Sequence, residues 1–130
     1  MALLPLIDDE HASPEVRAIY DDIRATRGTD YINNFWRALA NDPRELLRSW
    51  ERTRDVMAPG ALDALTKELV YLAVSMTNGC EYCLRSHRAA AVSKGMSEAM
   101  FMELASVVAL ANANNRLATG LGVDVDDRYR

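Results

Sequence analysis

An all-α bundle of about six helices is the fold the sequence predicts, and three observations predict it. Apolar residues recur at helical spacing in six segments, no stretch alternates strictly enough for a half-buried strand, and capping or helix-stopping residues punctuate the segments. With 130 residues, 49% hydrophobic and 26% charged, the chain has the make-up of one ordinary soluble domain. Such a domain buries roughly two-thirds of the surface its unfolded chain exposes, so it needs neither disulfide staples nor a structural metal to fold. The expectation is a single helical domain over residues 1–130, with a short N-terminal extension at 1–12 and a polar C-terminal tail at 120–130.

The first helix is expected from about Pro14 to Arg27, capped by Ser13, with Val16, Ile19, Tyr20 and Ile23 as its apolar stripe and Gly28 as its stop. Asp30 is a candidate cap for a short second helix carrying Ile32, Phe35, Trp36 and Leu39. Asp42, Pro43 and Glu45 read as the start of a third, which is expected to bury Leu46, Leu47, Trp50, Val56 and Met57. Pro59 and Gly60 break the pattern. A fourth helix follows from Ala61 to about Thr77, with Leu62, Leu65, Leu69, Leu72, Ala73 and Met76 on its apolar side, and Asn78-Gly79 supplies a turn. The fifth is expected from about Cys80 to near Gly95, and Ser97 caps a sixth that runs to about Leu117. That sixth helix is apolar or small on nearly all sides: Met100, Phe101, Leu104, Val107, Val108 and Ala111 fill one face, and Met102, Ala105 and Ala109 much of the other. Burial on two sides points to a second subunit, hence a homo-oligomer; a central core helix in a monomer is the alternative.

Composition narrows the function. The formal charge is −4, with acidic and basic residues interspersed, so no cationic stripe is available to neutralise phosphates and nucleic acid is not an expected partner. Met1 to Ile7 is apolar but short, lacks a basic region and runs into Asp8, Asp9 and Glu10, unlike a secretory signal. Lys67, Glu68, Glu81 and Arg85 interrupt the best apolar runs, so no membrane span is expected, and the chain reads as cytoplasmic. In a reducing compartment a lone pair of cysteines two residues apart is more often catalytic or metal-binding than a permanent crosslink.

That pair is Cys80 and Cys83, within Asn78-Gly79-Cys80-Glu81-Tyr82-Cys83-Leu84-Arg85-Ser86-His87. Helical residues advance by about 100 degrees, so Cys80, Cys83 and His87 fall within roughly 60 degrees of arc on one face. Side chains lean toward the helix N-terminus, which aims His87 back at Cys83 one turn earlier. Unsatisfied N–H groups in the first turn favour a thiolate, and the spacing permits a disulfide. If the fourth and fifth helices pair antiparallel about Asn78-Gly79, Glu68 and His87 lie within roughly 3 Å of the same level. Glu68 is flanked by Leu65, Leu69 and Leu72, and a carboxylate turned toward a core demands a partner. The group reads as a relay: Glu68 orients and charges His87, and His87 takes the proton from Cys83.

Two blander readings stay open. Cysteines at this spacing also occur as small core residues. Cys80, Cys83, His87 and Glu68 are also four chemically reasonable zinc ligands, although an uninterrupted helix lacks the turn that splays two thiolates around zinc. A non-enzymatic subunit, redox-sensing or zinc-stabilised, is therefore the alternative to an enzyme. His11 reads as a solvated loop residue, Arg85 and Arg88 as solvated helix charges.

The pattern of Glu68, eleven residues, Cys80, two residues, Cys83, three residues, His87 resembles the alkylhydroperoxidase D-like group of the carboxymuconolactone decarboxylase superfamily. The likeness is strongest from Glu68 to Gly95, and the helices from Pro14 to Leu117 are similar to the group's all-α fold. It implies a thiol peroxidase in which Cys83 attacks a hydroperoxide and becomes a sulfenic acid, Cys80 resolves it as a disulfide, and Glu68 and His87 form the proton relay. It further implies a trimer or hexamer, no metal or organic cofactor, and reduction by a dithiol or a thioredoxin-like protein. One residue departs from the pattern: the best-known peroxidases of the group carry histidine where this chain has Tyr82. As an auxiliary candidate, its phenol donates a hydrogen bond but is a poor base near neutrality. The decarboxylase branch lacks the cysteine pair, which disfavours lactone decarboxylation here.

Overall fold

The computed structural model describes residues 1–130 and contains six α-helices, a terminal 3-10 turn at Asp127–Tyr129 and no strand. The helices are α1 Pro14–Arg27, α2 Asn34–Leu39, α3 Pro43–Met57, α4 Ala64–Asn78, α5 Glu81–Ser93 and α6 Glu98–Gly120. Packing divides the chain into two compact units, Met1–Ala58 and Pro59–Arg130. The division falls at Pro59 and Gly60, where the helical pattern of the sequence breaks.

In Met1–Ala58, α1 and α2 both pack against α3. The Ser13 hydroxyl accepts the Val16 N–H at 3.2 Å and opens α1, and Gly28, left-handed at φ 64°, closes it with its N–H on the Arg24 carbonyl. Val16, Ile19, Tyr20 and Ile23 of α1 are buried with Ile32, Trp36, Leu46 and Trp50. The two indoles meet edge to face at 5.5 Å, and Trp50 donates Nε1–H to Asp22 Oδ2 at 2.6 Å, which satisfies its one polar atom. The first twelve residues are tied down: Ala12 is buried, the Ile7 N–H bonds the Arg37 carbonyl, and the Tyr20 hydroxyl donates to the Ile7 carbonyl at 2.8 Å.

Some expectations for this unit need correction. Asp30 does not cap α2, because the chain stays extended to Asn33, which precedes the first helical turn; the Asp30 carbonyl instead accepts from Arg24 Nε at 2.8 Å. Phe35, Leu47 and Val56 are exposed. The core stripe of α3 is narrow and centres on Leu46 and Trp50, so neighbours even one residue away turn outward.

In Pro59–Arg130, α4 and α5 form an antiparallel hairpin and α6 packs on α4. The α4 helix starts later than expected: the Asp63 carboxylate caps it through the Thr66 N–H at 2.7 Å, leaving Ala61 and Leu62 outside and Leu62 exposed. Gly79, at φ 70°, reverses the chain between α4 and α5, and Cys80 rather than a helical residue then stands at the α5 cap. Leu72, Ala91 and Met96 are buried, with Leu65, Leu69, Leu84, Met100, Phe101 and Leu104 packed against them. The α6 helix buries no residue fully and leaves Met102, Val107, Leu110 and Leu117 exposed. The tail expected to be polar also exposes Leu121, Val123 and Val125.

Candidate active site

Glu68 stands on the face of α4 that carries Leu65 and Leu72, one turn to either side, and is only 5% exposed. Both carboxylate oxygens are engaged. His87 of α5 meets Oε2 through Nδ1 at 2.7 Å, and Lys94, the residue that ends α5, donates from Nζ to Oε1 at 2.9 Å. Burial raises the affinity of the Glu68 carboxyl for a proton, but the hydrogen bonds from His87 and Lys94, with the Lys94 charge beside it, outweigh it and hold the group below the ordinary glutamate range. An ionised carboxylate only accepts hydrogen bonds, so Nδ1 of His87 carries the proton, and Nε2 is the basic nitrogen of the neutral ring. Tyr71, three residues after Glu68 on α4, stacks on the imidazole with ring centres 3.6 Å apart and planes 19° from parallel. The stack fixes the plane in which the ring nitrogens point.

Cys80 and Cys83 are joined by a disulfide, with their Cα atoms 5.3 Å apart. Cys80 is the N-cap of α5, and its sulfur accepts the Cys83 N–H at 3.3 Å, the bond a serine or aspartate oxygen makes at other helix starts. Cys83 lies in the first turn, where helix N–H groups stabilise an anionic sulfur. His87 follows one turn later on the same face. Tyr82, between the cysteines, is exposed.

The remaining candidates have other partners. Arg85 pairs with Glu81 at 2.9 Å on the exposed side of α5, and the Arg88 guanidinium lies 5.3 Å from the centre of the Phe101 ring. His11, exposed in the other unit, bonds Asp8 at 2.6 Å. Two members of the cluster escaped the sequence reading, Lys94 and Tyr71. Signals for both existed: Lys94 is seven residues after His87, two turns along one face, and Tyr71 is three after Glu68.

Residues 44–125 match the model of the carboxymuconolactone decarboxylase family. The chain belongs to that family. Within it the fold is AhpD-like: the crystal structure of the alkylhydroperoxidase AhpD core from Rhodospirillum rubrum superposes with a TM-score of 0.96 at 50% sequence identity, covering 99% of this chain and 97% of that one. An alkyl hydroperoxide reductase AhpD from Anaeromyxobacter dehalogenans is 29% identical over 114 residues, 85% of this chain and 61% of that protein. A (R)-2-haloacid dehalogenase from Pseudomonas putida is 26% identical over 105 residues, 81% of this chain and 35% of its own length. The chain thus spans between about a third and three-fifths of these curated relatives. The family match and the structural likeness cover the helical scaffold that carries the Cys80–Cys83 pair. No helix is long and apolar enough to cross a membrane.

Proposed function

We propose that this protein is a thiol peroxidase and disulfide oxidoreductase that reduces hydroperoxides with Cys83 as nucleophile. The observation that carries the reading is the 2.7 Å bond from buried Glu68 to His87, one turn beyond a bonded Cys80–Cys83 pair. In the reduced protein, Nε2 of His87 takes the Cys83 proton. The thiolate then attacks the distal peroxide oxygen, the O–O bond breaks, and the alkoxide leaves with the proton returned by His87, so Cys83 becomes a sulfenic acid. The Cys80 thiol displaces water from it and closes the disulfide. A dithiol or thioredoxin-like reductant restores the pair by exchange and is itself oxidised.

Rapid mixing of the reduced protein with cumene hydroperoxide, with free thiols counted over time, tests this. Both thiols are expected to disappear for each peroxide consumed, and Cys83→Ser to slow consumption by at least about a hundredfold. Parent-like consumption by that variant removes Cys83 from the role. Stoichiometric zinc in protein purified without chelator, with both thiols blocked by it, replaces the enzymatic reading with the zinc-stabilised subunit.

The apolar residues that α6 leaves exposed, Met102, Val107, Leu110 and Leu117, support assembly into a trimer or hexamer. Light scattering on the eluting protein checks it, and a monomer at micromolar concentration excludes it.

A further inference from the structure

Lys94 has no part in the relay of Glu68, His87 and Cys83, yet it occupies the carboxylate oxygen that His87 leaves over. Its side chain is 36% exposed while that of Glu68 is 6% exposed, so the ammonium reaches from the protein edge onto a buried anion. Two consequences follow from elementary electrostatics. A carboxylate with one oxygen bonded and the other bare could swing about its own side-chain axis; with both held it is fixed. The charges also sum differently with and without the lysine. Beside a lone Glu68 anion, a protonated His87 completes a neutral ion pair and is stabilised. Beside a Glu68 anion already matched by Lys94, a protonated His87 leaves the cluster with an uncompensated positive charge.

We propose that Lys94 is a positioning residue that works through Glu68: by holding Oε1 and balancing the carboxylate, it keeps His87 resting as a neutral base oriented for the thiol proton. This rests on the reading of His87 as the base. Two ionisable side chains contact the imidazole directly. Glu68 and Tyr71 come from α4, the Tyr71 ring stacked on it, and the cysteine pair lies one turn ahead on its own helix. The α6 residues packed into this core are Met100, Phe101 and Leu104, all apolar. While the Arg88 guanidinium lies over the Phe101 ring, Lys94 is linked to His87 through one shared carboxylate. Without it, an added proton goes to the imidazole rather than to Glu68, because a free imidazole is more basic than a carboxylate by about two pH units.

The test reads His87 by heteronuclear NMR against pH in the disulfide form, where the sulfurs hold no proton and no peroxide chemistry enters. Lys94→Met is expected to raise the His87 titration midpoint by about one pH unit or more. Lys94→Arg, which keeps the charge and the reach, is expected to leave it within ~0.3 unit and guards against a folding defect in the first variant. In the reduced enzyme Lys94→Met is expected to lower kcat for cumene hydroperoxide by roughly tenfold with KM little changed, and Lys94→Arg to recover most of it. A His87 midpoint unmoved in folded Lys94→Met protein overturns the proposal, as does a moved midpoint with unchanged kcat. A parent protein that consumes no peroxide defeats the peroxidase reading instead, and the titration shift still decides the link between Lys94 and His87.

Discussion

In Met1–Ala58 ten buried residues form one apolar cluster, among them Tyr20, Ile23, Ile32 and Leu46 with no measurable exposure. In Pro59–Arg130 only Leu72, Ala91 and Met96 are buried apolar residues, and the buried carboxylate Glu68 lies in the same unit. The first unit is held by ordinary side-chain packing around two tryptophans. The second has less apolar burial of its own and adds a polar triad in which His87 and Lys94 share the Glu68 carboxylate. The proposed chemistry lies where the core is thin and polar, and the dense core carries none of its side chains. A buried anion is tolerable in the second unit because both of its oxygens are bonded, a requirement that apolar side chains do not impose.

This contrast breaks if truncating the dense core harms the chemistry directly, or if disturbing the triad leaves stability untouched. Leu46→Ala is expected to have the largest effect on folding, about 2–5 kcal/mol lost in urea unfolding, while alkylation of Cys83 in the protein that remains folded keeps its parental rate. Glu68→Gln is expected to cost about 1–3 kcal/mol, since the Lys94 ammonium loses its ionic partner, and to slow peroxide consumption as well. The combined loss distinguishes it from Leu46→Ala.

Acid sharpens the contrast further. The Glu68 carboxyl lies below its ordinary range in the folded protein, so as pH falls the unfolded chain takes up its proton first. The stabilisation from Glu68 is therefore complete above about pH 4.3, the unfolded value, and disappears as pH drops through the lower native one. Equilibrium unfolding followed from neutrality down through that window is expected to show the loss in the parent and much less of it in Glu68→Gln. Smaller effects come from helix ends and surfaces. Asp63→Ala removes the cap of α4 and is expected to cost about 1 kcal/mol, whereas Arg85→Ala, which breaks the exposed pair with Glu81, is expected to stay within about 0.5 kcal/mol.

Much of this was readable before the structure. Ser13, Asp42 and Ser97 cap α1, α3 and α6 through their side chains, as their positions beside apolar repeats led one to expect. The geometry of a hairpin at Asn78-Gly79 was enough to place Glu68 level with His87, because helix rise per residue is nearly constant. What escaped depends on contacts that spacing does not encode. The α2 cap was expected at Asp30 and the α4 start at Ala61, whereas Asn33 and Asp63, both good capping types, stand where the backbone leaves its extended conformation. Lys94 shares a helix face with His87, but the target of its ammonium lies 26 residues earlier in the chain. Phe35, Leu47 and Val56 look apolar enough for a core, but the sequence does not say how wide the buried stripe of a helix will be.

The start of α5 rests on a sulfur atom that accepts the Cys83 amide. Opening the disulfide returns that atom to a thiol or thiolate, and an anionic acceptor binds the same N–H more strongly than a bonded, neutral sulfur does. Secondary structure and electron count are thus tied at one hydrogen bond. The amide resonance of Cys83 is expected to move whenever the pair gains or loses two electrons, giving a spectroscopic gauge of oxidation state that needs no added label.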